Sequence, residues 1–270
     1  MYQFARRGIL LVYTVLIAVP LLIVITGSIK TNQDLFSHPF SLPLAPVWSN
    51  YPTVLGGQNL ARAFLNSMIV TAVSVTVTVF LCSLVGYAVA RIPGWRGYLV
   101  YGIFVVGMAV PAQVSIVPQY VLFDRLGLLD SLTGLALVNV VQTAPVGVFI
   151  IAGFMKTLPR ELYESADLDG SNHWRTYRSI VIPLSAPSLA AAAIFLSVMH
   201  WNELMYPLYF IHDPDKRTLP LALLNFRGEY FTDYPLLFTG ILIASAPMVV
   251  AYVFLQRYFV AGMTAGAIKA

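Results

Sequence analysis

The chain has 270 residues, of which 58% are hydrophobic and only 10% charged, with a mean hydropathy of +0.76. A soluble domain carries about 25% charged residues, so lipid must be the solvent for much of this chain. The net charge is +4, but no basic run with interleaved aromatics occurs, which argues against nucleic acid as a partner. Lys and Arg also gather in the cytoplasmic loops of membrane proteins.

A helical crossing needs roughly 20 predominantly apolar residues. Six uncharged runs meet that length and predict an all-α polytopic protein, one transmembrane domain over 1–270. The spans fall at about 8–29, 67–90, 98–123, 131–155, 185–207 and 235–257. The first run follows Arg6 and Arg7, yet it exceeds the h-region of a signal peptide and no A-x-A site follows, so it is expected to be a retained span. Pro20, Pro111, Pro118, Pro145, Pro187 and Pro247 fall within the runs and predict kinks. Cys82, the one cysteine, sits in an apolar run as a small buried hydrophobe.

With the N-terminus inside, ten of the 16 Lys and Arg are cytoplasmic: Arg6, Arg7, Arg91, Arg96, Lys156, Arg160, Arg175, Arg178, Arg257 and Lys269. Both termini are then cytoplasmic. Outside loops cover 30–62 and 208–234, and a cytoplasmic loop covers 156–184.

That cytoplasmic loop has helical punctuation of its own. Thr157 is a candidate N-cap with Pro159 in the first turn, and Leu158, Leu162 and Ala166 form an apolar stripe. Glu161 and Glu164 suit the positive end of the helix. Gly170 is placed to end it, and Ser171 or Asn172 to cap a second helix on which Trp174, Tyr177 and Val181 share a face. A helix of about ten residues is marginal alone, so it packs on its own bundle, on the lipid surface or in a cleft of a cytoplasmic protein.

Polar residues at membrane depth either line a pathway or bond helix to helix. Asn139 and Gln142 share a face of the fourth span, Gln119 and Tyr120 lie on the third, and Gln113, Asn66, Trp201 and Asn202 are further candidates. The uncharged runs hold no Asp, Glu, Lys or Arg for ion relay, and Glu203 sits at the outer boundary of the fifth span, which weighs against an ion-coupled secondary transporter. No G-x-x-x-x-G-K-[ST] pattern occurs, and His38, His173, His200 and His212 are scattered, so neither a nucleotide cradle nor a metal cluster is expected.

Glu164-Ser165-Ala166, then Asp169-Gly170 and Trp174, then Ile180-Val181-Ile182-Pro183 resembles the E-A-A…G…I-x-L-P signature of ABC importer permeases, with Ser165 and Ile182 as departures. Ser28–Asn32, Leu65–Ser67 and the tail Gln256–Lys269 resemble the carbohydrate-uptake, maltose-type branch, its smaller six-span permease in particular. The resemblance implies a type I importer permease in the cytoplasmic membrane of a prokaryote. It implies a second permease as heterodimer partner, two ATPase subunits that carry ATP and Mg, and an extracytoplasmic solute-binding protein. It places Glu164, Ser165, Ala166, Asp169, Gly170 and Trp174 on a coupling helix docked to the ATPase, and Thr264, Ala265, Gly266 and Lys269 on a tail that touches it. No cofactor is expected on this chain and it is not itself an enzyme. In that branch the other permease holds most of the sugar. A glycerol-phosphate-type solute is the alternative cargo, although it calls for Arg or Lys in the pathway and the span cores have none.

Overall fold

The computed structural model describes residues 2–57, 59–92, 94–226 and 232–267, with only the backbone course given for 2 and 255–267. The elements are helical: α1 (Tyr2–Gly27), α2 (Asn32–Ser37), α3 (Asn50–Gly56), α4 (Leu60–Arg91), α5 (Trp95–Gly107), α6 (Ala112–Arg125), α7 (Leu132–Met155), α8 (Arg160–Leu168), α9 (His173–Thr176), a π-turn (Tyr177–Val181), α10 (Ile182–Trp201), α11 (Met205–Phe210), α12 (Leu219–Leu223) and α13 (Tyr234–Ala267). Five are long and apolar enough to cross a membrane unbroken, and the bent pair α5–α6 makes a sixth. Helices are the only open-ended elements that satisfy their backbone internally in hydrocarbon.

The third span, expected as one crossing, is two helices at 94°. Pro111 has extended backbone, φ −63 and ψ 130, and stands as the N-cap of α6. Its missing N–H removes the donor that would have continued the ladder. Pro20, Pro118, Pro145, Pro187 and Pro247 stay inside their helices. The fifth span, expected to run to 207, ends as a helix at Trp201 and resumes at Met205 after a turn.

The chain divides into two compact units, Met1–Phe64 with Arg217–Val250, and Leu65–Lys216 with Ala251–Ala270. In the first, the chain leaving α1 is tied down by its own carbonyls. Ser28 O accepts from Asn50 Nδ2 at 2.8 Å and from Thr239 Oγ1 at 3.0 Å. Lys30 is buried, and its ammonium donates to His38 O at 2.6 Å. Thr31 caps α2 by accepting the Asp34 N–H.

In the second unit, α7 is the central strut, packed against α5 and α10. Val148, Ile151, Ala152 and Met155 are wholly buried on it. Lys156, at its end, lies 4.5 Å from the ring centres of both Tyr98 and Tyr101 on α5. That contact holds the start of the loop 156–184 against α5.

Candidate functional site

The first helix of the loop after α7 begins two residues later than the sequence suggests. Thr157 turns its hydroxyl back to Phe154 O at 2.8 Å and so finishes α7. The residue before a proline is pushed away from helical backbone, so α8 starts at Arg160 with Pro159 as its N-cap. Tyr163 and Ala166 are the buried residues of α8, and Leu158 packs at the edge of the same core.

The corner at Gly170 forms as expected. Its φ is +69, a conformation glycine adopts without strain. Ser171 N donates to Ala166 O at 2.9 Å and Gly170 N to Asp167 O at 3.1 Å. These are the two bonds of a Schellman ending, which satisfies the last carbonyls of α8. Of the two candidate caps it is Asn172 that works, its side-chain oxygen accepting Arg175 N–H at 2.8 Å. A π-turn then feeds into α10.

Three tyrosines hold this hairpin to the bundle. Tyr87 on α4 meets Tyr163 at 6.3 Å and Tyr177 at 5.6 Å between ring centres. Tyr177 OH and Ser83 Oγ lie 2.7 Å apart. Burial pushes the Tyr163 hydroxyl above its ordinary pKa and keeps it neutral. Arg91, the last residue of α4, grips Asp167 at 2.7 and 2.8 Å. Neither the tyrosine plate nor the Arg91–Asp167 tether is legible in the sequence, because both join residues far apart in the chain.

The side facing away from the bundle is open. Glu164, Ser165, Asp169 and Gly170 are exposed. Leu168 is 90% exposed and Trp174 is 56% exposed, although Trp174 rests against Tyr177 at 5.3 Å. Of the six residues expected to form the docking surface, Ala166 instead faces inward, at 3% exposure. Leu168, not expected there, stands at the tip. The hairpin is thus fixed to the core on one side, and on the other it presents Glu164 and Asp169 with two exposed apolar side chains, Leu168 and Trp174.

The tail residues Thr264, Ala265 and Gly266 fall on the last helix, where side chains are not described, and Lys269 lies outside the described residues.

The pathway residues separate. Gln142 and Gln119 come together, their amide N and O 3.2 Å apart. Asn139 is buried elsewhere on α7, its carbonyl accepting from Thr143, whose hydroxyl also meets His200 Nε2 at 2.9 Å. Tyr120 packs edge-on against Phe210 at 6.0 Å. Asn66 holds a loop, donating to Asp215 O at 2.9 Å. Ser115 and Tyr206, passed over in the sequence, complete the cluster around Gln142.

Residues 82–265 match the family described as the binding-protein-dependent transport system inner membrane component. A putative ABC transporter permease protein, ORF2, of Caldicellulosiruptor sp. (strain Rt8B.4) is 34% identical over 96% of this chain and 94% of its own. The multiple sugar-binding transport system permease protein MsmG of Streptococcus mutans is 31% identical over 98% and 97%. A chain in the solved structure of a bacterial ABC transporter involved in import of the acidic polysaccharide alginate superposes with a TM-score of 0.82 over 96% of both chains. At 20% identity that likeness speaks for the fold. The family match over most of the length, the whole-length relatives and the shared fold make this chain a member of the binding-protein-dependent ABC transporter permeases, the inner membrane components of those systems.

Proposed function

We propose that this chain is one of two different permease subunits of an ATP-driven importer of sugars, with the loop 156–184 as its mechanical link to two ATPase subunits. The observation that carries the reading is the hairpin of α8 and α9, stapled to the bundle at one face and bare at the other. A lever must be stiff at its root and accessible at its tip. Closure of an ATPase dimer around ATP would pull such hairpins together and rotate the helices rooted in them. Carbohydrate as cargo rests on whole-length relatives such as MsmG, named for sugar transport. In this arrangement the termini are cytoplasmic, ATP and Mg stay with the ATPases, and an extracytoplasmic binding protein supplies the solute. The acidic rim, with Glu164 and Asp169, would meet basic groups in the ATPase groove. Glu164 and Ser165 would also contact it directly.

Two variants test the lever. Proline is locked near φ −65 and cannot occupy the +69 corner, so Gly170→Pro breaks the hairpin while leaving the membrane helices intact. Leu168→Asp keeps the hairpin and spoils its tip. Both should insert normally, lose most sugar uptake, and retain less ATPase when purified in mild detergent. Wild-type uptake by Gly170→Pro cells would rule out the lever.

A further inference from the structure

Within the unit Leu65–Lys216, α6, α7 and α11 bring four neutral polar side chains to one point. Gln142 Nε2 lies 2.9 Å from Ser115 Oγ and 3.2 Å from Gln119 Oε1, and it also bonds the hydroxyl of Tyr206. Ser115 in turn donates to Ala112 O at 2.8 Å. An amide NH2 has two hydrogens, so three acceptors share two donors. Gln142 Oε1 and the amide nitrogen of Gln119 make no hydrogen bond among the described residues. Turning both amides over swaps donor for acceptor and leaves the same pair outside the cluster, one carbonyl oxygen and one NH2. Both glutamines are half-buried, and neither free group is sealed off.

The position matters as much as the chemistry. Gln142 is ten residues into α7, about 15 Å along the helix and so near the middle of a hydrocarbon core of about 30 Å. An open amide pair at that depth cannot face lipid tails and must face protein or a polar lumen. Ser115 and Gln119 stand in the first two turns of α6, just after the break at Pro111. Tyr206 stands in the first turn of α11, just after the break at Asn202–Leu204, where Glu203 is occupied in capping the Met205 and Tyr206 N–H groups. Two broken helices meeting an unbroken one at mid-depth is the setting in which transporters place their solute sites.

We propose that Gln142, Gln119, Ser115 and Tyr206 form a contact point on this chain for the hydroxyl groups of a neutral, polyhydroxylated solute in transit. A sugar hydroxyl both donates and accepts, and so matches the free carbonyl and NH2 together. The four side chains carry no charge, which suits a neutral solute over a phosphorylated one. The proposal rests on the carbohydrate reading above and adds that this permease itself touches the cargo.

The assembled importer, with its partner permease, ATPases and binding protein, would be reconstituted in proteoliposomes and given radiolabelled maltotriose, raffinose and sorbitol. The measured quantity is solute accumulated per ATP hydrolysed, for wild type, Gln142→Leu, Gln119→Leu and Tyr206→Phe. For whichever solute the wild type accumulates, the two leucine variants should lower that ratio about tenfold, and Tyr206→Phe, which keeps the ring, about threefold. ATP hydrolysis stimulated by the binding protein should stay within about twofold of wild type, because the hairpin of α8 and α9 is untouched. An unchanged ratio in all three variants overturns the proposal. So does a parallel loss of stimulated hydrolysis and of partner copurification in Tyr206→Phe, which would make the cluster a structural bond between helices. If the wild type accumulates none of the three, the carbohydrate reading fails first and takes this contact with it.

Discussion

At Asp130 the backbone takes φ +50, where Asp and Asn are the least strained residues after glycine. Its N–H donates to Phe210 O at 2.8 Å. Its carboxylate accepts the N–H groups of Asp213 at 3.0 Å and His212 at 3.1 Å, and Lys216 Nζ at 3.3 Å. One residue before α7 thus fixes the segment after α11. The Asp213 amide above all, then the His212 amide and Lys216, hold the Asp130 carboxyl below the ordinary carboxylate range, against the opposing effect of burial. A lowered folded pKa means that the clamp is complete above the ordinary value, about 3.9, and is lost as pH falls through the lower folded value. Asp130→Asn keeps the turn and one acceptor but removes the charge. It should lower the protection of the His212 and Asp213 amides against hydrogen exchange about fivefold at neutral pH, and the loss of that protection in acid should disappear. Exchange at these amides that is equal in the two proteins would mean that the backbone alone holds the segment.

Along α4, Ser74, Thr78, Cys82 and Gly86 recur every fourth residue, and the first three are almost completely buried. Small residues at that spacing let membrane helices approach closely. Ser74 Oγ donates to Ala136 O at 3.3 Å and Cys82 Sγ to Ala144 O at 3.4 Å, both on α7. A Cβ at Gly147 would come within 2.7 Å of Cys82 Sγ, and one at Gly86 within 3.3 Å of Ala152 Cα. Gly153, on the same helix as Gly147, has nothing within 4 Å of such a Cβ. Gly147→Leu should therefore overpack the interface and lower the melting temperature in detergent by about 3–10 °C, and Gly153→Leu should leave it near wild type. Equal melting of the two would separate α4 from α7 as far as stability is concerned. The ridge escaped notice in the sequence because Ser, Thr and Cys in an apolar run look like any other small filler until the partner helix is known. The spans themselves were legible, since hydrocarbon imposes a length and a composition that few other structures share. So were the Gly170 corner and the Asn172 cap, which are settled within a few residues. The bend at Pro111 was not, because six prolines sit in the apolar runs and tertiary packing decides which of them breaks its helix. The same holds for Gln142, whose neighbours Ser115 and Tyr206 lie 27 and 64 residues away.

Across the membrane, three arguments bear on which way the molecule faces. Ten of the 16 basic residues fall on one side of the expected topology. The family comprises inner membrane components of transport systems. In the coupling role proposed for the loop, the exposed tip of α8 would meet an ATPase, and nucleotide is found in the cytoplasm. α7 provides a direct test, because its 24 residues span about 36 Å, enough to join the two faces of the hydrocarbon core. Thr157 lies exposed just past one end of it and Asp124 lies exposed shortly before the other. Cys82, the only cysteine, is 1% exposed and should be silent to a bulky reagent. Thr157→Cys should therefore react with a membrane-impermeant maleimide in inside-out vesicles and stay unlabelled in intact spheroplasts. Asp124→Cys should do the reverse. Labelling of both from one side would mean that α7 does not cross. A clean inversion would put α8 outside the cell, where no ATPase could grip it, and the coupling role proposed for the loop would fall with the orientation.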